Sequence, residues 1–218
     1  MILAAGRGVR MRPLTDTLPK PLLAIGGRPI IESTIERLAR AGFTELVINH
    51  AHLGALIEAA LGDGARLGVA IRYSRETEAL ETAGGIAKAL ALLGSDPFVV
   101  VNGDIVCNFD FAALRTRDLD GALAHIVLVP NPSHHPEGDF SLHGPLAVDA
   151  GEPRWTFSGI GLYRPELFAS LRAGERAQLA PLLRAAMARG LVTGEIHRGV
   201  WDDVGTPERL QELNRAST

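Results

Sequence analysis

Four consecutive apolar residues, Phe98-Val99-Val100-Val101, constrain this chain more than any other feature. A strand with one wet face alternates apolar and polar residues. An unbroken β-branched run is instead buried on both faces, as in the centre of a parallel sheet covered by helices on each side. Similar short runs rich in Val, Ile and Leu predict strands at Met1–Ala5, Glu45–Asn49, Val69–Tyr73, Phe98–Asn102, Ala122–Val129, Arg154–Leu162 and Leu191–His197. The segments between them read as helices: Pro29–Ala41, Leu53–Leu61, Ala83–Leu93, Pro165–Leu171, Leu179–Arg189 and a last one from Pro207. Ile31, Ile35 and Leu38 share one face of the first, and Ile86, Leu90 and Leu93 share one stripe of the third. Pro29 suits a first helical position and Gly42 the residue just past the end. The alternation predicts an α/β, Rossmann-like, mostly parallel mixed sheet with helices on both faces. With 218 residues, no internal repeat and no low-complexity linker, a single domain over 1–218 is expected.

Composition excludes several partners. Lys+Arg is 22 against Asp+Glu 25, the wrong sign for a protein whose main partner is a nucleic-acid backbone. Aromatics at 5% argue against a stacking platform for single strands. No apolar run approaches the ~20 residues of a membrane span, and the opening Met1-Ile2-Leu3-Ala4-Ala5 lacks the basic region and long apolar stretch of a signal peptide. The one cysteine, Cys107, rules out an internal disulfide and a Cys-based zinc site, and fits a reducing cytoplasm. No obligate protein partner is evident.

In sheets of this class ligands bind past the carboxyl ends of the strands. After the first strand comes Ala5-Gly6-Arg7-Gly8-Val9-Arg10-Met11-Arg12-Pro13-Leu14-Thr15. Gly6 and Gly8 let the backbone fold tightly and present N–H groups to an anion. Arg7, Arg10 and Arg12 add guanidinium groups, and Lys20 follows between Pro19 and Pro21, which restrict its backbone. A lone Gly-x-Gly would be weak, and here a dinucleotide fingerprint is disfavoured: the third glycine position is Met11, and Asn49-His50 follows the second strand where an acid for a ribose would stand. No Gly-Lys-Ser/Thr follows, which excludes a Walker loop.

Leu3-Ala4-Ala5-Gly6-x-Gly8-x-Arg10-Met11-x-Pro13-Leu14-Thr15, followed by Pro19-Lys20-Pro21-Leu22, resembles the opening of the sugar-1-phosphate nucleotidyltransferases, and the resemblance runs nearly end to end. Members of that family join a nucleoside triphosphate to a sugar 1-phosphate and release pyrophosphate. The resemblance implies that Ala5, Gly6, Gly8, Arg10, Lys20 and Asn102 face the triphosphate, with Arg10 and Lys20 catalytic. Val9 stands where many members have Thr, so a hydroxyl contact to phosphate is absent.

Two acids could share one metal. Phe98–Asn102 leads to Gly103-Asp104, and Trp201-Asp202-Asp203-Val204-Gly205-Thr206 precedes the last helix. Each alone is ordinary turn chemistry; a strand-end acid also suits Mg²⁺, which takes one or two carboxylates plus phosphate oxygens. Thr206, Pro207 and Glu208 read as a helix start. Both positions match the family's metal-binding aspartates, so the resemblance carries that role to Asp104 and Asp203, with Asp202 secondary.

Leu80-Glu81-Thr82-Ala83-Gly84-Gly85 opens a helix with Thr82 as the expected N-cap. Two glycines there cost roughly 1 kcal/mol each against Ala, which makes sense if something flat lies against the backbone. In the resembled family this segment contacts the nucleobase, making Glu81 and Gly84 base-side candidates. Asn131 to Phe140 follows a strand and can reach the sugar; its His134-His135 has no third ligand and is rejected as a zinc site. Thr156-Phe157-Ser158-Gly159-Ile160 carries a polar, glycine-containing step. Asn131, Asp139 and Ser158 are the sugar-side candidates. Cys107, His50 and His52 read as structural or incidental. The chain stops soon after its last helix, so no attached acyltransferase or regulatory domain is expected.

Within the family the resemblance favours the small bacterial uridylyltransferases that act on N-acetylmuramate 1-phosphate in peptidoglycan recycling. It rests on Val47–Ala51, Leu80–Gly85, Asn131–Phe140 and Phe157–Ile160. Guanylyl transfer to mannose or heptose 1-phosphate is the alternative. A non-catalytic sugar-nucleotide sensor is disfavoured because both acids and Lys20 are present.

Overall fold

A computed structural model describes residues 1–216. Among them the chain runs through β1 (Ile2–Leu3), β2 (Ala24–Ile25), β3 (Arg28–Pro29), α1 (Ile30–Arg40), β4 (Glu45–His50), α2 (Gly54–Leu61), β5 (Ala70–Arg75) and α3 (Glu81–Leu93). It continues through β6 (Phe98–Asn102), β7 (Ile105–Cys107), α4 (Ala112–Arg115), β8 (Ala124–Val129), β9 (Phe140–His143) and β10 (Leu146–Val148). The last elements are β11 (Arg154–Tyr163), α5 (Leu179–Met187), β12 (Val192–Ile196), β13 (Trp201–Asp203) and α6 (Pro207–Ala216).

Among these residues nine strands make one mixed sheet in the order β5-β4-β1-β6-β11-β8-β12-β10-β9. β5, β4, β1 and β6 run parallel. β11 reverses against both β6 and β8, and β12 runs parallel to β8. The β9–β10 hairpin closes the far edge and also folds onto the start of β11.

The unbroken run in β6 follows from its two covered faces. Val99 and Val101 pack with Ile31, Ile35 and Leu38 of α1 and Ile57 and Leu61 of α2. Phe98 and Val100 pack on the other side with Ile86 of α3 and Leu183 and Met187 of α5. Full burial of such a side chain contributes roughly 1.5–3 kcal/mol. A third, smaller cluster joins Met11, Leu23 and Ile30 to Val204 and Leu210, so α6 is docked against the N-terminal loop. No helix among the described residues is long and apolar enough to cross a membrane.

Several sequence expectations shift. Pro29 does not open α1; it closes β3, paired with Ala24, and stands at the N-cap with extended ψ of 136°. Gly42 does lie just past α1, at φ 87°. Pro165–Leu171 shortens to a 3-10 turn, Pro165–Phe168. The two-residue pair β2–β3, the short helix α4, the hairpin β9–β10 and the ladder between β7 and β13 had no legible periodicity. That last ladder matters most: it pairs Trp201 with Cys107, Asp202 with Val106 and Asp203 with Ile105.

Candidate active site

The glycine loop leaves β1 and is fixed at three points. The Ala4 N–H donates to Asn49 Oδ1 at the end of β4 (3.0 Å). Gly8 adopts φ 65°, and Thr15 Oγ1 donates to its carbonyl at 2.8 Å. A Cβ on Gly8 would press Thr15 at 3.0 Å and the Lys20 stem at 3.3 Å, so the turn packs directly on Lys20. Lys20 opens a short 3-10 turn flanked by Pro19 and containing Pro21. Its side chain is 10% exposed, and Nζ donates to Asp104 Oδ2 at 2.5 Å.

Asp104 is delivered by a close approach of strands. The Gly103 N–H donates to the Leu3 carbonyl at 2.8 Å, and a Cβ on Gly103 would sit 2.7 Å from that oxygen. The ladder of β7 and β13 then brings Asp203 alongside: the Val204 N–H donates to the Asp104 carbonyl at 3.1 Å. The two acids are thus neighbours across one ladder. Asp203 Oδ1 is buried without a hydrogen-bond donor. The His134 Nε2 lies 3.0 Å from it, but out of line for a hydrogen bond. A buried carboxylate oxygen lacking a donor, on a strand position opposite the residue that follows a second acid, fits a hard cation that takes oxygen ligands. Asp202 points elsewhere, its Oδ2 accepting from Arg209 Nε at 2.6 Å. Thr206 Oγ1 accepts from the Arg209 N–H at 3.3 Å, capping α6 as its sequence implied.

Ala5, Gly6, Gly8, Arg10, Lys20, Glu81, Asn102 and Asp104 all line one cleft of about 570 Å³. Arg7 and Arg10 line it too and form no ion pair among the described residues. Arg10 and Asn102 also line an adjoining cavity of about 310 Å³, with Ser158, Asp203, His134 and His135. The two hollows meet at Arg10 and Asn102, which line both.

Gly84 lies outside this lining. A Cβ there would strike the backbone of Glu175 and Ala177, and one on Gly85 would press Asn49 Nδ2 at 2.7 Å and Glu76 Oε1 at 2.9 Å. The chain itself fills the room that the sequence suggested for a flat ligand. Thr82 is not the N-cap either. Leu80 holds that place, and the Ala83 and Gly84 N–H groups donate to the Ala177 carbonyl, each at 3.0 Å.

The sugar-side candidates are largely occupied by the fold. Asn131 Nδ2 donates to the carbonyls of Pro136 (2.9 Å) and Arg154 (3.1 Å), and its Oδ1 accepts from Thr156 Oγ1 (3.0 Å). Asp139 Oδ2 accepts from the Phe157 N–H at 2.7 Å, and Oδ1 lies 3.2 Å from His135 Nε2. Neither residue lines the adjoining cavity. Ser158 lines it, yet its Oγ donates to the Val127 carbonyl (2.7 Å) and accepts from the Ile160 N–H (3.1 Å). That hydroxyl bridges a bulge in β11 between Phe157 and Ile160, where Gly159 takes φ 78° and Asn102 packs against it.

Sequence reasoning missed three participants. Asn49 links the Ala4 N–H to Glu76, donating to Glu76 Oε1 at 2.7 Å, and Glu76 Oε2 accepts from the Leu80 N–H at 3.0 Å. This buried relay ties the glycine loop to the turn before α3; Asn49 at a strand's carboxyl end was its one available signal. Arg176, from the segment before α5, lines the cleft with no sequence signal at all.

The family description Nucleotidyl transferase matches residues 1–139. An N-acetylmuramate alpha-1-phosphate uridylyltransferase of Neisseria meningitidis is 56% identical over 219 residues, covering 97% of this chain and 95% of that protein. A protein of the same name from Caulobacter vibrioides is 34% identical, covering 95% and 92%. The solved structure of HddC from Yersinia pseudotuberculosis, complexed with GMP-PN, superposes with a TM-score of 0.78 at 19% identity, over 100% of this chain and 98% of that one, and shares the fold.

Proposed function

We propose, from the premise that the chain belongs to the nucleotidyl transferase family, that it joins UTP to N-acetylmuramate 1-phosphate, releasing pyrophosphate and giving the nucleotide sugar. The observation that carries this reading is the Lys20–Asp104 pair in one cleft with the glycine loop, with the donor-less Asp203 oxygen in the adjoining cavity. The two relatives named above support the choice of base and sugar. The whole of 1–218 acts as one nucleotidyltransferase domain in this reading, in the cytoplasm, where nucleoside triphosphates are made, and in peptidoglycan recycling.

An oxygen of the sugar phosphate attacks the α-phosphorus of UTP, a P–O bond forms, and the bond to pyrophosphate breaks. The nucleophile is already anionic, so no side chain need act as a strong base. The protein's part is to position two anions and neutralise them. Gly6 and Gly8 offer backbone to the triphosphate. Lys20 has three N–H donors, of which Asp104 takes one, leaving two for phosphate oxygens as the α-phosphorus becomes five-coordinate. Arg10, with no ion pair among the described residues and at the junction of the two hollows, steadies the departing pyrophosphate. Asp104 and Asp203 would hold Mg²⁺, which when bound would supply positive charge to offset that of the phosphates. Glu81 lies on the base side, while the loop 131–139 and the bulge at Ser158 shape the sugar side.

Initial rates with UTP, GTP, CTP and dTTP against the 1-phosphates of N-acetylmuramate, N-acetylglucosamine, glucose and mannose test the reading. The highest rate is expected for UTP with N-acetylmuramate 1-phosphate. A preference for GTP with mannose 1-phosphate moves the chain to guanylyl transfer and leaves the phosphate assignments intact. Nucleotide binding without turnover on any sugar overturns the reading in favour of a sensor.

A further inference from the structure

The cleft carries two opposite kinds of charge. Arg7, Arg10 and Lys20 come from its glycine-loop side. From the first position of α3 comes Glu81, whose Oε1 accepts from Arg176 Nη2 at 2.6 Å. Phosphates are drawn to the cations and away from a carboxylate, so the part of a nucleotide able to lie against Glu81 is its uncharged base.

Glu81 is held there against its backbone preference. It adopts φ 62°, a left-handed conformation uncommon for a residue with a side chain, and such conformations persist where surrounding structure enforces them. The enforcement is visible. The Ala177 N–H donates to the Leu80 carbonyl at 3.0 Å, while the Ala177 carbonyl accepts from Ala83 and Gly84. On the other side Glu76 holds the Leu80 N–H. Arg176 therefore stands between Glu175, pressed against Gly84, and Ala177, bonded to the helix start. The ion pair is mostly wet, with side-chain exposures of 71% and 38%. Exposed pairs of this kind add little stability, so an account of this pinned geometry lies in what it presents to the cleft.

A base edge distinguishes the two charges. Guanine offers adjacent N1–H and N2–H₂ donors, which a bare carboxylate accepts in bidentate fashion. Uracil offers a single N3–H between its O2 and O4 acceptors, and either carbonyl can accept from a guanidinium, which has donors only. We propose that Arg176 is a specificity-determining residue for the nucleobase: it covers the Glu81 carboxylate and so converts an end of the cleft that would accept guanine into one that takes uracil. This deepens the uridylyl reading above and rests on it.

The test uses Arg176→Ala, Glu81→Gln and the double variant. Affinities for UTP and GTP are measured by calorimetry, alongside initial rates with N-acetylmuramate 1-phosphate. In Arg176→Ala the ratio of UTP to GTP affinity is expected to fall by at least about tenfold, mainly through tighter GTP binding. Adding Glu81→Gln removes the gain in GTP affinity, because the uncovered acceptor is gone. A ratio unchanged within about twofold in Arg176→Ala overturns the proposal, as does a GTP gain that survives Glu81→Gln. Wild-type protein that binds UTP well but does not turn over N-acetylmuramate 1-phosphate sinks the sugar assignment alone. Wild-type preference for GTP sinks the base assignment and this proposal together.

Discussion

The two ends of the cleft are built by different means. The end proposed above for the triphosphate is almost one stretch of chain, from Ala4 to Lys20, closed by the ends of β4 and β6. Its cations are left available: Arg7 and Arg10 form no ion pair among the described residues, and Lys20 keeps two donors. The sugar end gathers a loop at 131–139, a bulge in β11 and the strand β13, and most of its polar side chains already have partners within the chain. One end presents side chains held ready by backbone turns. The other is shaped by side chains that hold backbone in place.

The strongest way to break this contrast is at the acids. Asp104→Asn and Asp203→Asn are each expected to lower turnover by about 10³-fold or more, since a bound cation contributes several kcal/mol of charge stabilisation. The double variant should be little worse than either single one, because groups acting as a unit are not additive. Thermal stability separates the two. Asp104→Asn leaves Lys20 without its anion and costs about 1–3 kcal/mol, whereas Asp203 Oδ1 has no donor to lose and its variant stays at or above wild type. Equal turnover in wild type and either variant would remove that acid from the metal.

Lys20→Ala comes next, with an expected fall of about 10²–10³ in kcat and a smaller change in KM for UTP, the usual scale for a preorganised electrostatic contact. Arg10→Ala should also weaken pyrophosphate binding, readable by product inhibition.

At the sugar end the effects are smaller and of another kind. Asn131→Ala removes three hydrogen bonds that hold the loop, at about 1–3 kcal/mol. KM for the sugar phosphate should rise several-fold while KM for UTP stays put. Ser158→Ala should lower Tm by a few degrees, at roughly 2–4 °C per kcal/mol for a chain of this size, and leave sugar KM nearly unchanged. A raised sugar KM with an unchanged Tm would mean that the hydroxyl meets the sugar after all.

The smallest effect lies at Glu58 of α2, held by His50 at the end of β4 and Arg75 at the end of β5. Hydrogen bonds from Arg75 and His50 outweigh burial and hold the Glu58 carboxyl down to about 2, from an ordinary 4.5. Its contribution to stability is full above about pH 4.5 and is lost as pH falls through 2. Acid unfolding of Glu58→Gln should therefore differ from wild type at neutral pH and converge with it below pH 2.

The same contrast explains what was legible in the sequence. Gly6, Gly8 and the prolines around Lys20 advertise backbone geometry, and a site made of local backbone can be read from them. The central strand was equally plain, because burial on both faces leaves an unbroken run. Asn131, Asp139 and Ser158 have the right chemistry at the right strand ends, but residue type does not say whether a polar atom already has a partner. Gly84 and Gly85 were read as room for a ligand, and tight packing inside the chain has the same signature. The β7–β13 ladder is three residues long on each side, too short for periodicity. Arg176 reaches the cleft only through the backbone bonds of its neighbours, which no local pattern encodes.

The β7–β13 ladder also has a consequence for the timing of synthesis. Asp104 and Asp203 are 99 positions apart in the chain (203 minus 104). At about 5–20 residues per second on the ribosome, roughly 5–20 s separate their appearance. During that interval the nascent chain already has its glycine loop, Lys20 and the first acid, yet lacks β13 and the helix that docks Val204 and Leu210 onto Met11. A partly made enzyme can therefore meet nucleotide without turning it over. With the role proposed for Asp203, catalytic competence arrives late, with the segment that closes the fold, and a chain cut short before Asp203 is expected to be silent rather than uncontrolled.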